Sequence, residues 1–257
     1  MSTNAINIQL LPLEVLQYIF ILSGNPHFPL VSQNFYKAAN SQTSVKTQWL
    51  LCKFEGDCKK ALHRGIKWKF FNKEILNQLD NLYHQQNPGC DVIPCENRSL
   101  PQWFFRKEND QMLELTKIFL DRKVSPDMMN GYPIVQSARI GNIKMAKLLI
   151  HYGAKVEMLA LYVSVDRGNL EMVTLLLKHG CVQPDSKALE IAADRRAKNE
   201  NLDKKAADNF GKIFELLKNY GAVENLRVVN AFGDDNNNDA GGHGRKSLIL
   251  NTSSFYR

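Results

Sequence analysis

A Gly-Asn pair occurs twice in this chain, at Gly141-Asn142 and Gly168-Asn169, and each time a second glycine follows twelve residues later, at Gly153 and Gly180. Between the glycines lie Met145, Leu148, Leu149 and Ile150 in one copy and Met172, Leu175, Leu176 and Leu177 in the other. That spacing, i, i+3 and i+4, is the period of a helix that buries one face. The copies are offset by 27 residues, and a period of about 20 to 50 residues is the mark of a stacked array. One such unit cannot cover its own apolar face, so the chain is constrained to place units side by side.

The closing glycine of each copy permits the left-handed turn that ends a helix. Upstream, Pro133 to Ala138 and Leu161 to Val165 supply a preceding helix, so each unit reads as a helix hairpin. A third copy ends at Phe214, Leu216, Leu217 and Gly221, 41 residues after Gly180; it carries an insert of about 14 residues, assigned to Arg195–Asp208. A weaker copy, Leu113, Leu115, Ile118, Phe119 and Leu120, lacks its glycine and has Lys123 near that position. Degenerate units at the ends fit a capped stack. The repeats are expected over residues 102–226, followed by a tail at 227–257 whose Gly-Asp-Asn-rich composition cannot offset its ordering entropy and is expected to be disordered.

The amino-terminal 36 residues carry a single charge, Glu14. Pro12 is placed to open a helix, in which Leu13, Leu16 and Phe20 make one apolar stripe and Val15, Ile19 and Leu22 another. A short helix that is apolar on nearly every side needs cover on nearly every side. A Ser-Gly-Asn-Pro turn at 23–26 ends it, and Pro29, Leu30, Val31, Phe35 and Tyr36 begin a second apolar patch. A helical module over 1–50, ending near Trp49, fits. A helical linker over 51–101 follows, with one helix capped by Asp57 and stopped at Gly65, a longer one from about Lys67 to Gln85, and a Pro-rich loop from Asn87 to Pro101.

Two family resemblances attach to these residues. Leu11-Pro12-Leu13-Glu14-Val15-Leu16-Gln17-Tyr18-Ile19-Phe20, with Pro29-Leu30-Val31-Ser32-Gln33-Asn34-Phe35 after it, resembles an F-box. Asn130-Gly131-Tyr132-Pro133-Ile134 and Gly153-Ala154, with the leucine-rich helices, resemble ankyrin repeats. The repeat falls six residues short of the usual period of about 33, and the missing positions lie between Gly153 and Gly168. The F-box resemblance implies docking to a Skp-family adaptor and a cullin through Leu11, Pro12, Leu13, Val15, Leu16, Ile19, Phe20, Pro29 and Val31. The ankyrin resemblance implies a target protein bound at first helices and turns, through Met129, Asn130, Tyr132 and Tyr162.

Charge and motif spacing narrow the alternatives. Net charge is +7, but residues 37–73 alone hold nine basic and two acidic side chains, leaving the rest balanced at 24 of each sign. The basic character is therefore local. The mixed stretch of Lys59, Lys60, His63, Arg64, Lys67, Trp68, Lys69, Phe70 and Phe71 could bind nucleic acid; a solvated amphipathic helix, with Ile66 and Phe70 inward, is the preferred reading. The apolar run Leu10–Leu22 is too short for a membrane span. With no Lys or Arg before Lys37 a secretory or mitochondrial leader is not expected, so the expected location is cytoplasm or nucleus. Five cysteines without C-x-x-C spacing point to reduced thiols, neither a metal site nor a cofactor is expected, and the histidines show no metalloprotease spacing. His151 and His179 stand just before Gly153 and Gly180, where a cation suits a helix C-terminus.

The expected fold is all-α: a small F-box-like helical module, then an ankyrin-like hairpin stack. The expected function is a non-enzymatic substrate-recognition adaptor of a cullin-RING ubiquitin ligase, with a protein-interaction scaffold lacking any ligase link as the alternative.

Overall fold

The computed structural model describes residues 8–96, 98–179, 183–200 and 203–223. Among these the protein is all-helical: twelve α-helices, three short 3-10 turns and no strand. The tail expected to be disordered at 227–257 and the closing Gly180 lie outside the described residues.

The Gly-Asn pairs have a double task. Gly141 (φ +75°) takes the left-handed conformation that ends α7 (Met128–Ile140), and Asn142 caps α8 (Ile143–His151), its Oδ1 accepting from the Met145 amide at 2.9 Å. Gly168 (φ +66°) and Asn169 repeat the arrangement between α9 (Met158–Asp166) and α10 (Leu170–Lys178), with Asn169 accepting from Met172 at 3.0 Å. The pair thus satisfies the orphan groups of two helix ends at one corner. Without a glycine, Lys123 itself takes φ +62° after α6 (Asp110–Asp121).

Helices α7, α9 and α11 (Ser186–Asn199) pack in succession to form one layer, and α6, α8, α10 and α12 (Lys204–Asn219) form the other. The 195–208 insert lengthens α11 and α12 to 14 and 16 residues, against nine in α9 and in α10. An ion pair from Arg195 to Asp166 of α9, at 2.6 Å, ties it back to the stack.

Ahead of the stack lie α1 (Leu13–Ser23), α2 (Gln33–Asn40), α3 (Thr43–Lys53), α4 (Cys58–Gly65) and α5 (Lys73–Gln86). The expected junction at residue 50 falls inside α3. One cluster of buried side chains runs unbroken from Phe20 through Trp49, Leu79, Phe104 and Phe119 to Leu176. A second, from Leu161 to Ala222, serves the last hairpin.

Asp57 caps α4 as expected, accepting from the Lys60 amide at 2.9 Å. Gly65 differs: it is the last residue of α4, followed by Ile66 in right-handed conformation, and a β-carbon on it would stand 3.0 Å from Leu50. Its role is close packing. The helix expected from Lys67 begins only at Lys73, because Asn72 caps it by accepting from the Ile75 amide. Residues 66–72 instead turn so that Trp68 and Phe70 meet Trp49 edge-on, at 5.4 and 5.9 Å between ring centroids. The Pro-rich stretch 87–101 forms no helix or strand in its described residues, as expected.

Asp80 of α5 and Arg122 at the end of α6 fasten the front helices to the stack. Their side chains, 8% and 10% exposed, pair through both guanidinium ends, at 3.0 and 2.5 Å. Asp80 also accepts from the Ile93 amide at 3.0 Å, which pins the 87–101 segment to the same pair.

Candidate interaction surface

Helix α1 starts after Pro12, which stands at the N-cap one residue before the expected position, with Glu14 in the first turn where a carboxylate favours the helix dipole. Gly24 (φ +57°) ends it, and the Lys53 ammonium donates to the Gly24 carbonyl at 2.8 Å. Ser32 caps α2 by accepting from the Phe35 amide. The turn Phe28–Leu30 lies between, and the three elements pack on one another.

The two apolar stripes of α1 have separate fates. Leu16 packs with Phe35 and Ala38 of α2 in a small core of its own, and Phe20 stacks nearly parallel on Trp49 of α3 with ring centroids 5.8 Å apart. These two residues, expected to dock an adaptor, are 2% and 4% exposed and are unavailable for contact. The reason is geometric: the side that carries i, i+4 residues Leu16 and Phe20 is the side that α2 and α3 cover. The outward side differs from the expected second stripe: Val15, Tyr18 and Leu22, at i, i+3 and i+7, face out while Ile19 is half-buried, and Leu13 of the first stripe is exposed at the start of the helix. Leu10, Leu30, Val31 and Tyr36 are exposed on the same module, with Leu10 at 80%, Leu30 at 77% and Leu22 at 72%. Leu11, Ile19 and Pro29 are half-buried, and Pro12 is exposed.

Among the described residues, nine of the fourteen large apolar side chains that stand well exposed belong to residues 8–36, the stretch whose only charge is Glu14. The sequence shows the absence of charge; which stripe is covered depends on α2 and α3.

The four expected target contacts differ in exposure. Met129 and Asn130 are exposed in a left-handed turn at the start of α7. Tyr132 is buried at 9% exposure, and its aromatic body serves the core. Tyr162 of α9 is half-buried, its hydroxyl 2.5 Å from the carboxylate of Asp185, the N-cap of α11, with the Lys187 ammonium over its ring. It ties α9 to α11 within one layer of the stack.

Sequence reading also missed a cavity. His63 and Arg64 of α4, Lys67 of the following turn and Arg98 of the segment before α6 line it together. In sequence the first three read as one solvated helix face, and Arg98, about 30 residues on, is joined to them only by the path of the 87–101 segment. Among the described residues no group of three His, Cys, Asp or Glu side chains could hold a metal ion, and no helix is long and apolar enough to cross a membrane.

A family model described as the YDR249C N-terminal domain, from an uncharacterised yeast family, matches residues 9–40. No curated protein and no solved structure matches the chain. The matched segment is α1, the Phe28–Leu30 turn and α2, the apolar module itself. This finding overturns the F-box reading of residues 11–35, and nothing supports the ankyrin reading of the stack. Both resemblances have a physical origin. A helix opened by proline, with a carboxylate in its first turn and apolar residues behind it, satisfies general rules of helix initiation. A Gly stop, an Asn cap and apolar residues at i, i+3 and i+4 describe many stacked helix hairpins.

Proposed function

We propose that this protein is a non-catalytic interaction protein whose amino-terminal module docks an uncharged apolar helical surface of another protein. The observation that carries this reading is the outward stripe of Val15, Tyr18 and Leu22, joined on the same module by Leu10, Leu30 and Val31. An exposed apolar patch of this kind is an interaction site. Burying each of its leucines contributes about 1.5 to 3 kcal/mol, so two or three are enough for a stable contact. The charge pattern favours a protein over a lipid surface. Membrane-surface helices carry Lys and Arg on their polar face, and this module has neither before Lys37. A partner meeting only Glu14 needs few charges of its own. The helical stack is the second arm, a rigid support that separates the docking face from whatever the α7 and α9 side engages.

A photo-cross-linker placed at Tyr18 of the full chain tests the docking face. A discrete adduct with one partner protein is expected, lost in Leu22→Asp/Leu30→Asp while the melting temperature stays within a degree or so, since both side chains are exposed. An adduct that persists in the double variant, or an unspecific smear, sinks the proposal. A purified Skp-family adaptor, with its cullin, is the first partner to offer. The ubiquitin-ligase link came from the F-box resemblance, so it now depends on that adduct forming.

A further inference from the structure

We propose that the cavity between α4, the 66–67 turn, Cys95 with residues 98–100, and the end of α6 is a binding site for a phosphate monoester carried on an apolar body. The cavity measures about 380 Å³, within the range of about 300 to 1,000 Å³ typical of small-ligand sites. Lys60, Arg64, Lys67 and Arg98 bring four cationic side chains to its wall, His63 and Ser99 add hydrogen-bonding groups, and no carboxylate lines it. Lys60 has an exposed partner in Asp57, at 3.5 Å. Lys67 and Arg98 have no ion-pair partner among the described residues. Elsewhere Arg122 pairs with Asp80 and Arg195 with Asp166.

Like charges gathered around a concavity with low-dielectric walls focus the field and attract a counter-ion. Arginine and lysine supply the directed donors that phosphate oxygens accept. The floor is apolar, from Leu62, Ile66, Leu100, Phe119 and Val124, so inorganic phosphate leaves it uncovered whereas an aryl or alkyl ester fills it. Cys95, also on the wall, adds no negative charge, because burial pushes its thiol above the usual range and keeps it protonated. The site is separate from the apolar module, and its test does not depend on that module's partner.

Titration calorimetry and amide NMR shifts on the full chain with phenyl phosphate, inorganic phosphate and a short phosphotyrosine peptide test the assignment. Phenyl phosphate is expected to bind saturably and several-fold more tightly than inorganic phosphate, shifting the amides around Arg98. Arg98→Ala, an exposed position, is expected to weaken it roughly tenfold, the loss of about one charge-assisted hydrogen bond, with the melting temperature unchanged. Lys205→Ala on α12 is the control and is expected to leave binding as it was. Peptide binding would mark a phosphorylated side chain as the source of the ester, and its exclusion a free small molecule. Absence of saturable phenyl phosphate binding overturns the proposal, as does equal weakening by Lys205→Ala. Binding of single-stranded RNA without saturable phenyl phosphate binding overturns it too, since the cations would then be part of an open basic surface.

Discussion

Met129 and Asn130 hold φ +53° and +54°, and Gly131 follows at +72°, three left-handed residues in succession. The left-handed conformation costs an L-residue about 1 to 2 kcal/mol, while glycine in the unfolded chain gives up roughly 0.5 to 1. Met129→Gly is therefore expected to raise stability by about 0.5 to 1 kcal/mol in urea unfolding; a lower midpoint would mean that the exposed Met129 side chain packs usefully. Gly131 cannot be exchanged in the same way, because a β-carbon there meets Glu157 Cγ at 2.9 Å. His63 gives a residue-scale pH dependence. Burial holds its imidazole below 6.5; the bond to the Pro94 carbonyl opposes this in part, and the weaker effect of the Arg98 charge adds to the lowering while that of Asp57 opposes it. The folded protein thus binds this proton less readily than the unfolded chain does. Its contribution to stability is complete above pH 6.5 and is lost as pH falls through the lowered value. Denaturation midpoints across this range should fall less steeply on acidification in His63→Gln than in the parent, and equal slopes would rule His63 out as a source. Neither the strained turn nor the imidazole's setting can be read from residue type, since both follow from which neighbours the fold brings close.

At the scale of elements, the Asp57 cap and the stops at Gly141 and Gly168 are legible in the sequence, whereas the Asn142 and Asn169 caps, the true end of α4 and the covered faces are not. Asp57, Asn142 and Asn169 cap the helices that their side chains suit, because capping is a contact between residues two or three apart. Helix α5 starts six residues after the expected Lys67, because Trp49, some 20 positions away, holds Trp68 and Phe70 out of helical register. The joint between α5 and α6 is the Asp80 and Arg122 pair, and its energetics give a sharp expectation. Arg122→Met leaves a buried carboxylate without its cation, which costs about 3 to 5 kcal/mol. Adding Asp80→Asn should restore much of that loss, since a neutral amide oxygen still accepts from the Ile93 amide. Urea unfolding of the two variants decides the matter: a double variant no more stable than the single one would show that Arg122 acts through packing alone.

For the whole molecule, α9 and α10 each contribute to both cores: Ala160 and Leu176 to the larger, Leu161 and Leu177 to the smaller. The boundary between cores passes through helices and not through a linker, so the last hairpin and the front of the protein should unfold together. The three tryptophans, Trp49, Trp68 and Trp103, all belong to or pack on the larger core. Tryptophan fluorescence and far-ultraviolet circular dichroism are therefore expected to give coincident urea transitions, whereas helix loss ahead of the fluorescence change would mean that α11 and α12 detach first. By itself the sequence determined the helical class, the hairpin frame and most helix ends, because periodicity and capping act within about one helical turn of the residue concerned. It also determined that the first 36 residues would be nearly free of charge. Only the tertiary structure decided that Leu16 and Phe20 are covered while Val15, Tyr18 and Leu22 are bare, and that Arg98 joins His63, Arg64 and Lys67 around one cavity. Burial and charge clustering depend on residues distant in the chain, and a local pattern leaves those distances undefined.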